Sequence, residues 1–301
     1  MSALRRLVGE RLGAGTGVAP STMAARGGVG RGPGVWPFVA ILGLFVLMAV
    51  ASPWLAPEDP LRQNLLGRLQ PPMTEVRGTL YILGTDELGR DLLSRIVYGA
   101  RVSITVAFLS VVLSGVVGTV LGMLAAHYRG WTETVIMRLV DIVLSIPAIL
   151  LAIITVAVLG PGLLNVVLVL ALTRWPRYAR VAYGQTLAIG SQPYLRYARY
   201  IGASPLRQLG RHVLPNILGP LVVVATLEFG LMVLFEAGLS FLGLGVQPPT
   251  ASWGAMLSVG KNYVQSAWWI ATFPGLCLFL LVLSVNLIGD GLRDRLDPRS
   301  R

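Results

Sequence analysis

From residue 36 onward the chain alternates between long apolar runs and shorter polar segments. The runs are Trp36 to about Leu55, Val102 to Ala126, Val135 to Leu159, Leu163 to Thr173, Ile217 to about Leu239, and Trp268 to Ile288. A helix needs about 20 apolar residues to cross a hydrocarbon core of about 30 Å. All the runs but one meet that length. Leu163 to Thr173 supplies only about 17 Å of helix. It lengthens to Tyr183 if Arg174, Arg177 and Arg180 snorkel to the interface beside Trp175 and Tyr178. Pro147, Pro176, Pro220 and Pro274 fall inside runs. Such kinks are tolerated where neighbouring helices re-satisfy the freed backbone groups. The pattern predicts an all-α, polytopic membrane protein with six transmembrane helices.

Composition agrees and narrows the field. Hydrophobic residues are 54% and charged residues 13% of the 301 positions, the latter about half the usual share in soluble domains. Mean hydropathy is +0.69. These values exclude a disordered chain, a secreted disulfide scaffold and most soluble enzymes. The net charge of +11 comes from 25 basic and 14 acidic residues. A nucleic-acid-binding protein would gather that charge on a soluble face. Here the arginines lie between apolar runs, where they set membrane orientation, so no nucleic-acid partner is expected. Cys277 is the only cysteine, which rules out an intrachain disulfide.

The arginines also choose between topologies. A Gly160-Pro161-Gly162 turn separates the third run from the fourth. With six spans and the N-terminus inside, Arg174, Arg177, Arg180, Arg196, Arg199, Arg207 and Arg211 are cytoplasmic, as are Arg293, Arg295, Arg299 and Arg301. Merging the third and fourth runs into one helix would place all of these outside, against the positive-inside rule. Ala49-Val50-Ala51 resembles a signal cleavage site, but the preceding tail is too long for an ordinary n-region. The organisation expected is a flexible cytoplasmic tail over 1–34, a first span over 35–56 and an extracytoplasmic loop over 57–100. A five-helix core over 101–290 follows, with a cytoplasmic loop at 184–216, and then a cytoplasmic tail over 291–301.

Three segments carry more than hydropathy. In Gly84-Thr85-Asp86-Glu87-Leu88-Gly89-Arg90-Asp91, Thr85 or Asp86 can cap a helix, and Asp86–Arg90 and Asp91–Arg95 are acid-before-base pairs at i,i+4. Leu92, Leu93, Ile96, Val97 and Ala100 fall on one face, which predicts a short amphipathic helix at the outer interface leading into a span, with docking or gating as the functional alternative. The loop Tyr194 to Asn216 is too polar to span. Gly202 breaks its helical pattern, and Ser204-Pro205 reads as an N-cap followed by an N1 proline. Helix, glycine break and capped helix form a shaped docking surface; the plainer reading is a solvated basic loop that only sets topology. Third, Asp141, Glu228, Glu236 and Asp290 lie in or at the ends of spans, and ionisable residues there default to functional hypotheses. Asp141 has Arg138 as a local partner. Glu228 has no cation nearby in sequence, and lines a hydrated path or bonds to a neighbouring helix or subunit. Asp290, followed by Arg293 and Arg295, is read as structural.

Catalytic chemistry is not visible. The only Gly-Lys lies in Gly254 to Asn262, one residue too long for a phosphate-binding loop and with Asn in place of the hydroxyl residue. With His127, His212 and one cysteine, neither a zinc site nor a Cys–His nucleophile pair is expected. The chain is read as a non-enzyme with no cofactor and no metal.

The spacing of Ala198, Gly202 and Leu214-Pro215 resembles the cytoplasmic loop of ABC importer permeases. Gly84 to Asp91, Met137-Arg138-Leu139-Val140-Asp141, Leu239 to Pro249 and Asn286 to Asp294 resemble the dipeptide/oligopeptide/nickel subfamily. The resemblance covers about residues 36 to 298. It implies a type I importer-like permease fold in the inner membrane, the second of two paired permeases. The implied partners are a paralogous permease in a heterodimer, two ABC ATPases, an extracytoplasmic solute-binding protein and membrane lipid. In the family this loop forms the coupling helix that docks in the ATPase. The matching positions are Arg196, Tyr197, Ala198, Gly202, Ala203, Ser204, Pro205, Arg211, Leu214 and Pro215, with Arg196 and Tyr197 in place of the motif's Glu and first Ala. Glu228 and Asp141 are the candidates for the translocation path. The rival readings are a secondary transporter built on intramembrane carboxylates, a membrane enzyme, and a permease for nickel chelates or another solute.

Overall fold

A computed structural model describes residues 34–296. The expected N-terminal tail up to residue 33 and the end of the C-terminal tail, 297–301, lie outside the described residues. The chain is mostly helical: α1 (Trp36–Val50), α2 (Ser52–Leu55), the hairpin β1 (Thr74–Val76) and β2 (Thr79–Tyr81), α3 (Leu92–Tyr128), α4 (Gly130–Ser145), α5 (Ala148–Leu159), α6 (Leu163–Gly190), α7 (Pro193–Tyr200), α8 (Pro205–Arg207), α9 (Leu214–Phe241), α10 (Trp253–Gly260) and α11 (Trp269–Leu296). Gln208–Val213 forms a π-helical turn joining α8 to α9.

By length and composition, three described helical stretches can cross a membrane unaided: Leu92–Tyr128, Pro205–Phe241 and Trp269–Arg295. The expected third span, Val135 to Leu159, is not one straight helix. It is α4 and α5, bent by 93° at Ile146–Pro147, and counts as a fourth span only if the pair is taken as one. The bend follows from Pro147, which pushes Ile146 into extended backbone (ψ 131°) and ends α4. Apolar α1 has 15 residues, which is short for a span. α6 is long enough at 28 residues but carries several arginines.

The α3–α6 pair organises the core. Ser110 Oγ donates to the Val167 carbonyl at 3.3 Å. A Cβ on Gly118 would collide with the Trp175 carbonyl, and one on Gly122 with the Ala179 carbonyl. Each pair is 57 residues apart, so the two helices run side by side in the same direction at a constant register. Ser110, Ser114, Gly118 and Gly122, four residues apart, form the small-residue face that permits this approach. Gly118→Ala and Gly122→Ala are each expected to cost about 1–3 kcal/mol through overpacking. Gly115→Ala should be nearly neutral, because its Cβ would meet Tyr178 at 3.5 Å. Thermal unfolding in detergent checks this, and equal effects at 115 and 118 would show that the register is wrong.

At the N-terminal end of α3, residues 57–91 fold into a cap, and the expected amphipathic helix does not start at Thr85 or Asp86. Gly84 and Gly89 have φ of +83° and +71°, and the segment turns sharply. The helix starts later, at Leu92, where the Asp91 carboxylate accepts from the Ser94 N–H at 2.8 Å. The Asp86–Arg90 pair exists, but inside the turn. Asp86, 2% exposed, accepts from Arg90 Nε at 2.6 Å and from the N–H groups of Leu88 and Arg90 at 2.9 Å each, with Arg95 Nε 3.3 Å away. Trp269 Nε1 of α11 donates to the Thr85 carbonyl at 3.1 Å, fastening the cap to the helices. α10 is held likewise, by Trp253 Nε1 donating to the Ile96 carbonyl at 2.9 Å.

Candidate functional site

The 193–213 segment forms a helix–turn–helix at the C-terminal ends of α3 and α6. Gly202 has φ +80°, the conformation that lets a helix terminate, and the Ala203 N–H donates to the Ala198 carbonyl at 3.0 Å. Ser204 then caps α8, its Oγ accepting from the Arg207 N–H at 3.4 Å, with Pro205 in the first turn. Gln208 Nε2 reaches back to the Ala203 carbonyl at 2.6 Å and braces the turn.

The loop has two unlike faces. Leu195, Ala198, Leu209 and Val213 are buried, and Leu195, Leu209 and Val213 pack with Met123 of α3, Tyr178 and Ala182 of α6, and Ile217 and Leu221 of α9. Tyr197, Tyr200, Ile201 and Leu206 point away and are 69%, 85%, 85% and 82% exposed. These four large side chains lie on one short polar segment rather than on a long apolar helix. Beside it a cavity of about 550 Å³ opens among Tyr128, Arg129, Thr186, Ser191 and Tyr200. Arg211, Leu214 and Pro215 continue into the base of α9; the side chain of Arg196 lies outside the described residues.

The membrane-depth charges are arranged differently from the sequence expectation. Arg174, Arg177 and Arg180 do not simply snorkel. Glu228 of α9, 2% exposed, accepts from Arg177 Nη1 at 3.2 Å and lies 3.7 Å from Arg174 Nη1. The Arg174 guanidinium is buried and also sits 4.3 Å from the centre of the Phe235 ring. Asp141 is bonded to Arg180 of α6, whereas the expected local pair with Arg138 is not formed among the described residues. One turn further, the Tyr183 hydroxyl donates to Glu133 of α4. The signal available in sequence was the three-residue spacing of 174, 177, 180 and 183, which at 3.6 residues per turn moves about 60° round α6 at each step, from α9 at Arg174 and Arg177 to α4 at Arg180 and Tyr183. Glu236, fully buried, accepts from the hydroxyls of Ser103 and Ser240, both at 2.8 Å. Among the described residues no group of three or more His, Cys, Asp or Glu side chains could hold a metal ion.

Comparison with known proteins bears on this geometry. Residues 118–301 match the family model described as "Binding-protein-dependent transport system inner membrane component". Residues 36–72 match the model of the N-terminal TM domain of oligopeptide transport permease C. The chain is 46% identical over 257 residues to the di/tripeptide transport system permease protein DppC of Pseudomonas aeruginosa, covering 85% of each chain. It is 43% identical over 260 residues to the probable D,D-dipeptide transport system permease protein DdpC of Escherichia coli, covering 86% of each. Among solved structures, an inward-facing form of the MetNI methionine ABC transporter has the same fold, with a TM-score of 0.55 at 22% identity over 68% of this chain and 98% of that one.

Proposed function

The chain belongs to the family of binding-protein-dependent transport system inner membrane components, and we propose that within it the chain is the permease subunit of an ATP-driven importer for di- and oligopeptides. It resides in the inner membrane. Six spans, formed by α1, α3, the bent α4–α5 pair, α6, α9 and α11, place both termini in the cytoplasm, the 57–91 cap outside and the 194–215 loop inside. A paralogous permease completes the path as a heterodimer, an extracytoplasmic binding protein delivers the solute, and two ATPases dock below. ATP hydrolysis belongs to those ATPases; this chain carries no catalysis of its own. Closure of the ATPases shifts the permease between access states to the extent that they bind one state more tightly.

The observation that carries the coupling role is the two-faced loop. One side is packed into α3, α6 and α9, so movement of the loop moves the helices. The other presents Tyr197, Ile201 and Leu206 to a partner. Ile201→Asp and Leu206→Glu change exposed groups only, so the permease should stay folded and monodisperse. Co-purification of P-loop ATPases should fall by roughly tenfold or more, the scale expected when a central apolar anchor is lost. Gly202→Trp should act similarly by straining a φ of +80°. Wild-type protein that transports peptide yet never retains an ATPase would overturn this reading in favour of a secondary transporter built on Glu228 and its arginines. Uptake of nickel chelates without peptide competition would reassign the solute alone.

A further inference from the structure

We propose that the side of α4 and α6 bearing Asp141, Arg177 and Arg180 lines the water-filled conduit, and that Arg177 supplies the cation that meets the carboxylate of a passing ligand. This rests on the permease reading. The α3–α6 register sets the depth of each charge. The apolar run Val102–Ala126 is centred on Ser114, which is level with Ala171. At 1.5 Å per residue, Arg174 lies about 5 Å from the midplane, Arg177 about 9 Å and Arg180 about 14 Å. All three are within the roughly 15 Å half-thickness of hydrocarbon.

Depth and exposure together decide what this surface faces. The Arg177 side chain is 52% exposed, and the Arg180–Asp141 pair is 57% and 55% exposed. Ionised groups at that depth face a bundle interior or a water-filled cavity, because lipid cannot solvate them. Charge then separates the two. Arg174 and Arg177 share one carboxylate, Glu228, leaving one positive charge in excess among these three, while Arg138, exposed on α4 one turn before Asp141, adds a second nearer the helix end. Arg174 is the buried member, so the excess is presented by Arg177. A dry subunit interface would need an acid from the partner to balance it. Water and a mobile anion need none. A peptide's terminal carboxylate is such an anion, and Arg is suited to it by its planar, multidentate donors.

The test uses the assembled permease–ATPase complex with Cys277→Ser, so that failure of the complex to assemble is read separately. Ser145→Cys places a near-isosteric probe one turn beyond Asp141 on the same side of α4, without removing a charge. Leu172→Cys, on α6 and 53% exposed, is the comparison on its apolar surface. Small methanethiosulfonate reagents, one anionic and one cationic, are applied with and without nucleotide. The Ser145→Cys variant is expected to react in at least one state, the anionic reagent roughly tenfold faster, as a focused positive field predicts. Arg177→Gln should reduce that preference several-fold more than Arg138→Gln does, Arg177→Lys should keep it, and the Leu172→Cys variant should stay unreactive. No reaction at 145 in any state would overturn the proposal and assign the surface to a dry interface. A charge preference that survives Arg177→Gln would overturn the role of Arg177.

Discussion

Glu228→Leu is expected to be the most damaging single substitution in the membrane region. Among the described residues it removes the only acid that Arg174 and Arg177 face, and Arg174 is 4% exposed beneath α9. Arg177 can turn to water, but Arg174 cannot. Breaking a buried pair from one side costs about 3–5 kcal/mol, because the remaining charge is stranded. The cation–π contact with Phe235 offsets little of that loss. The purified complex should unfold at a clearly lower temperature, with much of the protein aggregated. Arg174→Met in the same chain should recover most of the loss, since an apolar pair of similar volume needs no partner. If the single variant unfolds at the wild-type temperature, Glu228 does not compensate these arginines.

Asp86→Ala should be comparably severe at the opposite end. Four donors converge on that carboxylate, from Arg90, Arg95 and two backbone N–H groups, and both arginines are under 9% exposed. Glu87 retains one bond to Arg90 at 2.9 Å, but Arg95 keeps only the Pro60 carbonyl, at 3.5 Å, and no bonded carboxylate among the described residues. The expected local cost is again about 3–5 kcal/mol. Because the cap is fastened through Thr85 to Trp269, its loss should make residues 57–91 protease-sensitive and abolish transport while ATPase co-purification persists. Loss of ATPase binding in this variant would show that the cap supports the whole fold rather than its own end of the helices alone.

The two sites were legible to different degrees. At the 194–215 loop every device is local. A glycine that can adopt positive φ and a serine followed by proline lie within three residues of each other, and the structure forms its turn and cap at those positions. The cap at 84–91 was harder, although its residues are also neighbours. Asp86–Arg90 at i,i+4 suits a helix, yet here the pair closes a turn. The segment must also seat Thr85 against Gly67 and Trp269, partners its own sequence does not contain. Pro147 signalled a kink but not its 93° size, which depends on what α5 packs against.

What the sequence by itself determined is what short-range chemistry can express: apolar runs long enough to seek a membrane, prolines and glycines that end helices, and a cluster of arginines at the end of the fourth run. The tertiary structure alone decided which groups compensate one another. Glu228 looked unpaired because its cations lie 51 and 54 residues away, and only the packing of α6 against α9 brings them within 4 Å. Asp141 had Arg138 nearby but bonds to Arg180, 39 residues on, because α4 lies against α6. The parallel α3–α6 register placed those charges in depth, and it rests on close backbone approach at Gly118 and Gly122. Charge pairing within a membrane is set by distance in space, and a carboxylate buried there is stable only beside whichever cation the fold delivers.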